Sequence, residues 1–253
     1  MGQTTHVVSN KRNTAKSLQA LIYGKYIVTD AFVDAVEHKA SSAPNPDDPD
    51  NPLPSPLETD FDKNWPDAAD YLPPAGKEPV PRPPEAFAPN PGRAEVFSGY
   101  TFVFCDQIQF DNLQPPITNG GGKALIYQLV MGQTTADEFV QYVKSVAGQK
   151  GLGAFDAEGN GGKGVVVVRF SGAKGFEDWA VDFQTQVDLQ LDQRSVLQNE
   201  FLDAILTNDA RGLRKRLEEE LVVGSSAPQP LAPTGKTVTR SNTRFKADRP
   251  SIR

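Results

Sequence analysis

The sequence predicts an α/β domain at residues about 94–221, with a central four-stranded parallel sheet flanked by helices. Three observations support this fold class. Apolar strand-like runs alternate with helix-like segments along the region. Val165–Val168 is an unbroken β-branched run bounded by glycines, which is typical of a central strand buried on both faces. Leu197–Leu206 repeats its apolar residues at helical spacing and indicates a helix against that sheet.

The remaining elements of this domain follow from the same periodicities. They are strands at Tyr100–Cys105, Ala124–Leu129 and Val187–Leu191, and helices at Gln107–Ile117, Thr134–Val146 and Phe176–Gln186. Pro115 and Pro116 should bend the end of the first of these helices, because proline lacks an N–H donor. Gly120, Gly121 and Gly122 predict a tight turn, since glycine reaches positive φ without strain.

Residues 1–40 have the pattern of half a domain. A strand at Thr5–Val8, a helix at Thr14–Tyr23 and a strand at Tyr26–Val28 precede a second helix, for which Asp30 is the predicted cap. Four such elements are too few to bury a core of their own.

Residues 41–93 form a Pro-rich acidic linker. The stretch 44–91 holds 15 of the 21 prolines, with ten acidic and three basic residues. Proline fixes φ and is excluded from helix interiors and central strands, so the segment should be extended. Several of its aromatic residues are expected to pack onto a neighbouring fold; the aromatic residues are Phe61, Trp65, Tyr71 and Phe87.

Charge is distributed unevenly along the chain. The whole chain has a net charge of −6, which argues against a nucleic-acid-binding surface over most of its length. Residues 222–253 are polar and basic and are expected to be disordered. A single cysteine fits a reducing compartment, and the absence of a long apolar run or signal peptide predicts a soluble intracellular protein without a membrane contact.

Motifs for catalysis, metals and cofactors are missing from the sequence. The Gly120–Lys123 turn lacks the spacing and hydroxyl residue of a phosphate-binding loop, and Cys105 has no histidine placed to activate it. His6 and His38 do not form a zinc pattern with one cysteine. We therefore predict no enzyme activity, no catalytic residue, no metal and no cofactor.

Several blocks resemble BRCT repeats. Thr5–Val8, Lys16–Ile22, Gly24–Val28 and Phe32 are similar to the second half of one repeat, and Phe97–Phe102, Gly120–Lys123, Val165–Phe170 and Gln198–Leu206 are similar to a complete one. Within that superfamily, residues 4–221 resemble the BRCT region of the fungal nibrin family, with Lys11–Lys16 and Asn119–Lys123 the closest blocks. This resemblance implies a BRCT fold at 94–221, preceded by a half repeat and a linker.

The nibrin family supplies the adaptor subunit of the MRN double-strand-break repair complex. The resemblance therefore implies a non-catalytic nuclear scaffold in DNA repair and damage-checkpoint signalling, with MRN-like complex subunits and phosphorylated damage-response proteins as partners. It also implies inter-repeat packing by Leu18, Leu21 and Ile22, part of which should stay exposed beside a half repeat. The family's FHA domain and the first half of the first repeat have no counterpart in this sequence.

By the same resemblance, Lys16 occupies the place of the lysine that binds phosphate in phosphopeptide-binding tandem repeats, with Thr14 and Lys11 as its neighbours. The usual hydroxyl and amide partners are missing, and a solvated helix lysine is the competing interpretation. A second hypothesis is a DNA-binding accessory role through the basic tail, in which six Lys/Arg residues accompany one acid over residues 224–253. An enzyme that uses a glycine-rich loop is a third.

Overall fold

The computed structural model describes residues 3–76, 78–148, 151–155 and 162–217. The remaining residues, which include the predicted basic tail and part of the glycine-rich stretch at 148–164, lie outside the described residues.

The N-terminal region forms a small parallel β-α-β-α unit. Its strands β1 (His6–Val8) and β2 (Tyr26–Val28) pair in the register His6–Tyr26, with helix α1 (Ala15–Ile22) between them and helix α2 (Asp30–Ala40) after them. Thr14 caps α1 by accepting a hydrogen bond from the Ser17 amide. The cap of α2 is Thr29, so the prediction of Asp30 as the cap is wrong by one position.

The C-terminal region contains a three-stranded parallel sheet in the order β4-β3-β5. Its strands are β3 (Thr101–Phe104), β4 (Lys123–Ile126) and β5 (Val165–Val167). Its helices are α5 (Gln107–Asn119), α6 (Ala136–Ala147), α7 (Glu177–Leu191) and α8 (Glu200–Thr207). Here α5 continues through Pro115 and Pro116 and ends two residues later than predicted. No helix among the described residues has the length and apolar character needed to cross a bilayer.

The predicted four-stranded sheet is wrong in one strand. Val187–Leu191 belongs to α7, where Val187 and Leu191 are buried but Leu189 is 61% exposed. Burial at every fourth residue is the helical period, whereas a strand would have placed all three side chains on one face. The position next to β5 is taken by a single parallel bridge between Val168 and Val196.

The valine run is buried as predicted, with Val166 and Val168 fully buried. Its predicted place at the centre of the sheet is wrong, because β3 is the central strand and β5 pairs along its length only with β3. The Val168–Val196 bridge covers the outer side of the run, where the Val196 amide donates to the Val167 carbonyl at 2.9 Å.

The Pro-rich segment is folded onto both regions. It contains two short helices, α3 (Pro56–Thr59) and α4 (Phe61–Asn64), and 3₁₀ turns at Ala68–Tyr71, Pro84–Phe87 and Pro91–Glu95. Phe87 is buried in the core, and Trp65 and Tyr71 contact the Phe32 ring edge-on. Phe61 instead stacks on Trp65 and stays 56% exposed.

Arginine side chains attach this segment to its neighbours. Arg93 is 2% exposed and donates to the carbonyls of Ala86, Ala88 and Ile205 at 2.6 to 2.9 Å. Burial lowers the pKa of its guanidinium. One charged donor therefore connects main-chain carbonyls of the Pro-rich segment to a carbonyl of α8.

The glycine turn lies at a point of close packing. Gly121 has φ +81, and a Cβ at Gly122 would lie 2.8 Å from the Phe97 Cβ and 3.0 Å from an Ile117 methyl. A Cβ at Gly120 would lie 2.7 Å from the Phe97 ring and 3.2 Å from the Ile22 Cδ1. The turn thus brings α1, α5 and the segment before β3 into contact.

Arg214 is the second fully buried arginine. Its guanidinium donates to the carbonyls of Gly153, Ala154 and Gly162 and to Gln193 Oε1, and it lies 4.3 Å from the centre of the Phe155 ring. Burial lowers the pKa of this group as well. The residue therefore holds the glycine-rich connection before β5 against the end of the described chain.

Arg214→Met should lower the free energy of unfolding by about 2–4 kcal/mol, because it leaves the buried Gln193 Oε1 and three part-buried main-chain carbonyls without their charged donor. Arg211→Gln is the matched control, since the Arg211–Asp209 pair is exposed and worth about 1 kcal/mol or less. Urea unfolding monitored by tryptophan fluorescence measures both. Equal midpoints for the two variants would contradict the structural role of Arg214.

Gly122→Ala should lower the free energy of unfolding by about 1–3 kcal/mol, because the added methyl meets Phe97 and Ile117 in a packed core. Gly212→Ala provides the control, since a Cβ there meets nothing within 4 Å. Thermal unfolding of both variants compares the two positions, and a neutral Gly122→Ala would argue against tight packing at the turn.

Candidate functional site

The start of α1 gathers hydroxyl groups and lysines. The Ser17 hydroxyl, which is fully buried, donates to the Lys11 carbonyl at 2.7 Å and lies within hydrogen-bonding distance of the Thr14 and Ser9 hydroxyls. This network fixes the loop between β1 and α1. It also uses the Thr14 hydroxyl as the helix cap.

The two predicted lysines take different positions. The Lys16 ammonium donates to the Val8 carbonyl at 3.0 Å, so it lies beside β1. The Lys11 side chain lines a surface cavity of about 530 Å³ together with Arg12 and Asn13. Lys11, Thr14 and Lys16 are thus close together in the chain fold, and Lys11 connects them to a larger depression.

That depression continues across the junction of the two regions. A second cavity of about 420 Å³ shares Asn13 and Asn199 with the first and extends to Gln109 and Arg169. We call the two adjoining cavities the inter-repeat groove. The charged side chains that line it are Lys11, Arg12, Arg169 and Glu78. Three cations and one carboxylate give this groove a positive charge on a chain whose net charge is −6.

Arg169 is held in place at the floor of the groove. Its guanidinium donates to Asp188 Oδ2 at 3.2 Å and to the Ser195 hydroxyl at 3.3 Å, while 44% of the side chain remains exposed. Burial raises the pKa of the Asp188 carboxyl, against the opposing effect of Ser195 and Arg169. Gln109 donates to the Arg169 carbonyl at 3.0 Å and ties α5 to the same point.

The predicted inter-repeat residues lie in the core. Leu18, Leu21 and Ile22 are 0–2% exposed, and they belong to one buried cluster with residues of the β3–α8 region such as Phe97 and Ile117. The expectation that part of this face stays exposed is therefore wrong. The linker residue Phe87 completes the cover, since it belongs to the same cluster.

Within the described ranges, no three His, Cys, Asp or Glu side chains lie close enough to hold a metal ion. Cys105 follows β3, and burial, together with the charge of Asp106, raises the pKa of its thiol to about 12. A thiol with so high a pKa is a poor nucleophile at neutral pH.

Comparison with known families identifies the second region. Residues 91–216 match the family model described as the second BRCT domain on Nijmegen syndrome breakage protein. This region is similar to a BRCT domain of the nibrin type. The crystal structure of the S. pombe Brc1 BRCT5-BRCT6 domains is also similar, at 12% sequence identity and a TM-score of 0.36, over 85% of this chain and 84% of that chain.

For a chain with a nibrin-like BRCT domain, interaction with other proteins in the DNA damage response is the expected kind of role, because BRCT domains are generally non-catalytic interaction modules.

The groove residues Arg12, Asn13, Gln109 and Arg169 were not predicted from the sequence. Only their tertiary placement unites them, since Asn13 and Arg169 are far apart in the chain. A polar residue directly after a buried strand, as Arg169 is, was the one available signal.

Alkylation of Cys105 by N-ethylmaleimide at pH 8 should be very slow in the folded protein. With a pKa of about 12, roughly one thiol in ten thousand is ionised at that pH, against about one in ten for a thiol of pKa 9. Mass spectrometry of the native chain and of a urea-unfolded control measures the difference. Equal rates in the two states would contradict the burial of this thiol.

Proposed function

We propose that this chain is a non-catalytic scaffold in DNA double-strand-break repair and damage-checkpoint signalling. It acts in the nucleus as part of an MRN-like complex and recruits phosphorylated damage-response proteins. The match of residues 91–216 to the nibrin second BRCT domain supports the protein-interaction role. The inter-repeat groove is the observation that supports recognition of phosphorylated partners.

The groove suits an acidic peptide in two ways. Its cations, Lys11, Arg12 and Arg169, favour a negatively charged ligand, and guanidinium groups form strong charge-assisted hydrogen bonds with phosphate. Its amide side chains, among them Asn13 and Gln198, are able to pair with a peptide main chain. We assign the phosphate contact to the end of the groove nearest Lys11, Thr14 and Lys16.

The packed core supports the proposal from a second direction. Asn13 and Lys11 precede α1, whereas Arg169 follows β5, and the shared burial of Leu18, Leu21 and Ile22 fixes the distance between these two walls. A site held by a rigid core loses less conformational entropy on binding than one formed by a free loop.

The alternative role, a DNA-binding accessory protein, rests on the charge of the tail. Residues 224–253 contain six Lys/Arg residues against one acid and lie outside the described residues. Such binding would be independent of sequence and of peptide phosphorylation, and it would weaken steeply as salt rises.

We expect the full chain to bind a degenerate phosphoserine peptide library at least about ten-fold more tightly than its unphosphorylated counterpart. Fluorescence polarisation at 0.15 M salt is the measurement. Lys11→Gln should reduce this preference about ten-fold, because it removes a charge-assisted hydrogen bond at the assigned phosphate end. Arg169→Gln should weaken the binding of both libraries, because it removes a cation from the rest of the groove.

Lys39→Gln is the control, because Lys39 lies in the last turn of α2 and does not line the groove. Lys11 is substituted as well as Arg169 because the described hydrogen bonds of Lys11 involve only its main chain. Replacement of the Lys11 side chain therefore leaves the fold intact. Equal affinity for both libraries, or an equal effect of Lys39→Gln, would contradict phosphopeptide recognition. Binding to random duplex DNA that survives both groove substitutions would favour the tail instead.

A further inference from the structure

A separate cavity of about 220 Å³ lies between β2 and the Pro-rich segment. Its floor is apolar and comprises Ile27, Ala68, Leu72 and Phe87. Tyr26, Asp67 and Glu85 also line the cavity, and each of these three is exposed. Among the described residues, those that line this cavity and those that line the inter-repeat groove form two separate sets.

The size of the cavity limits what it can hold. Small-molecule and cofactor sites usually measure about 300–1,000 Å³, so this cavity is too small for a typical cofactor. A water molecule takes roughly 30 Å³ of liquid volume, so the cavity is much larger than a hydration site needs. A single long side chain from another protein segment fits between these limits.

The charge of the lining selects the kind of side chain. The Asp67 carboxylate accepts a hydrogen bond from the Ala69 amide, and neither Asp67 nor Glu85 takes part in an ion pair within the described ranges. An acidic or neutral polar occupant would leave the apolar floor poorly covered. An aliphatic occupant would remove water from the carboxylates without replacing its hydrogen bonds.

A lysine side chain both covers the apolar floor and satisfies the carboxylates, because its stem packs on apolar surface while its ammonium stays at the rim. Tyr26 adds to this fit. Its ring is 39% exposed and stacks on the His6 ring at 4.9 Å, and an aromatic face attracts a cation.

The walls of the cavity are fixed before any ligand arrives. The Thr29 amide donates to the Tyr71 carbonyl at 2.8 Å, which joins β2 to the turn at Ala68–Tyr71. Arg93 holds the carbonyls of Ala86 and Ala88 on the opposite wall, and the Arg12 guanidinium lies 5.0 Å from the centre of the Phe87 ring. A preformed site of this kind costs little to organise on binding.

We propose that this cavity binds a lysine side chain from a basic segment of a partner protein. The apolar floor takes the four-carbon stem, and the carboxylates of Asp67 and Glu85 receive the ammonium. The cavity is thereby a second recognition site, and its preference for charge is opposite to that of the inter-repeat groove.

The test is an NMR titration of the ¹⁵N-labelled full chain with the peptide acetyl-Ser-Ala-Lys-Ala-Ser-amide. Saturable shifts are expected at the amides of Tyr26, Ala68, Ala69 and Phe87. Peptides with norleucine, glutamate or arginine in place of lysine should bind about five-fold more weakly or worse, because norleucine lacks the cation, glutamate reverses the charge and arginine is bulkier.

The variant Asp67→Asn/Glu85→Gln should weaken lysine-peptide binding about five-fold or more. Asp70→Asn is the control, because Asp70 is an exposed acid that neighbours Asp67 without lining the cavity, and it should change binding less than about two-fold. All three substituted positions are exposed, and the amide spectrum verifies that each variant is folded.

Four results would overturn the proposal. Shifts that map away from the cavity would place the binding elsewhere on the acidic surface. Equal binding of the norleucine peptide would make the contact purely apolar, and equal or tighter binding of the arginine peptide would remove the choice of lysine. A loss with Asp70→Asn as large as that of the double variant would reduce the effect to general charge attraction.

Discussion

The burial of one face of α1 against α5 and α8 is the constraint on which the rest of the structure depends. A two-stranded sheet such as β1–β2 is at best marginally stable alone, and its stability must come from packing. Leu18, Leu21 and Ile22 provide that packing by joining the core that contains Phe97. The glycine turn belongs to the same contact, because Ile22 lies too close to Gly120 to leave comfortable space for a side chain there.

Buried arginines solve a problem that the proline content creates. A proline-rich segment offers many carbonyls and few N–H donors, so it cannot form a regular hydrogen-bonded ladder with its neighbours. Arg12 donates to the Pro73 carbonyl, and Arg93 donates to Ala86, Ala88 and Ile205. Each guanidinium presents several donors in a fixed plane and therefore fastens several turns of irregular backbone at once. The segment predicted as a linker is consequently a structural part of both sites described above.

Sequence periodicity predicted the elements that depend on local pattern. The strands β1 to β5 and the helices α1, α2, α5, α6 and α8 lie where hydrophobic spacing placed them, within a few residues. The prediction of a fourth strand failed because two periodicities fit the same residues. Val187, Leu189 and Leu191 fit the period of two of a strand, and Val187 and Leu191 also fit a helical spacing of four. Only the exposure of Leu189 distinguishes the helix from the strand. The groove was not predictable, because Asn13, Gln109 and Arg169 meet only through tertiary packing. The arginine contacts are equally long-range: Arg93 and Ile205 are 112 residues apart.

The inter-repeat groove and the smaller cavity carry charges of opposite sign. The groove carries Lys11, Arg12 and Arg169 on an acidic chain, whereas the smaller cavity carries Asp67 and Glu85 with no cation among its lining residues. Opposite charges on neighbouring sites favour a partner that has an acidic and a basic segment in a set order, and they disfavour the reversed orientation through like-charge contacts. Two weak contacts made by one chain strengthen each other through a high effective concentration. The two sites together are thus best suited to select the orientation of the bound partner, and the strength of either contact alone matters less.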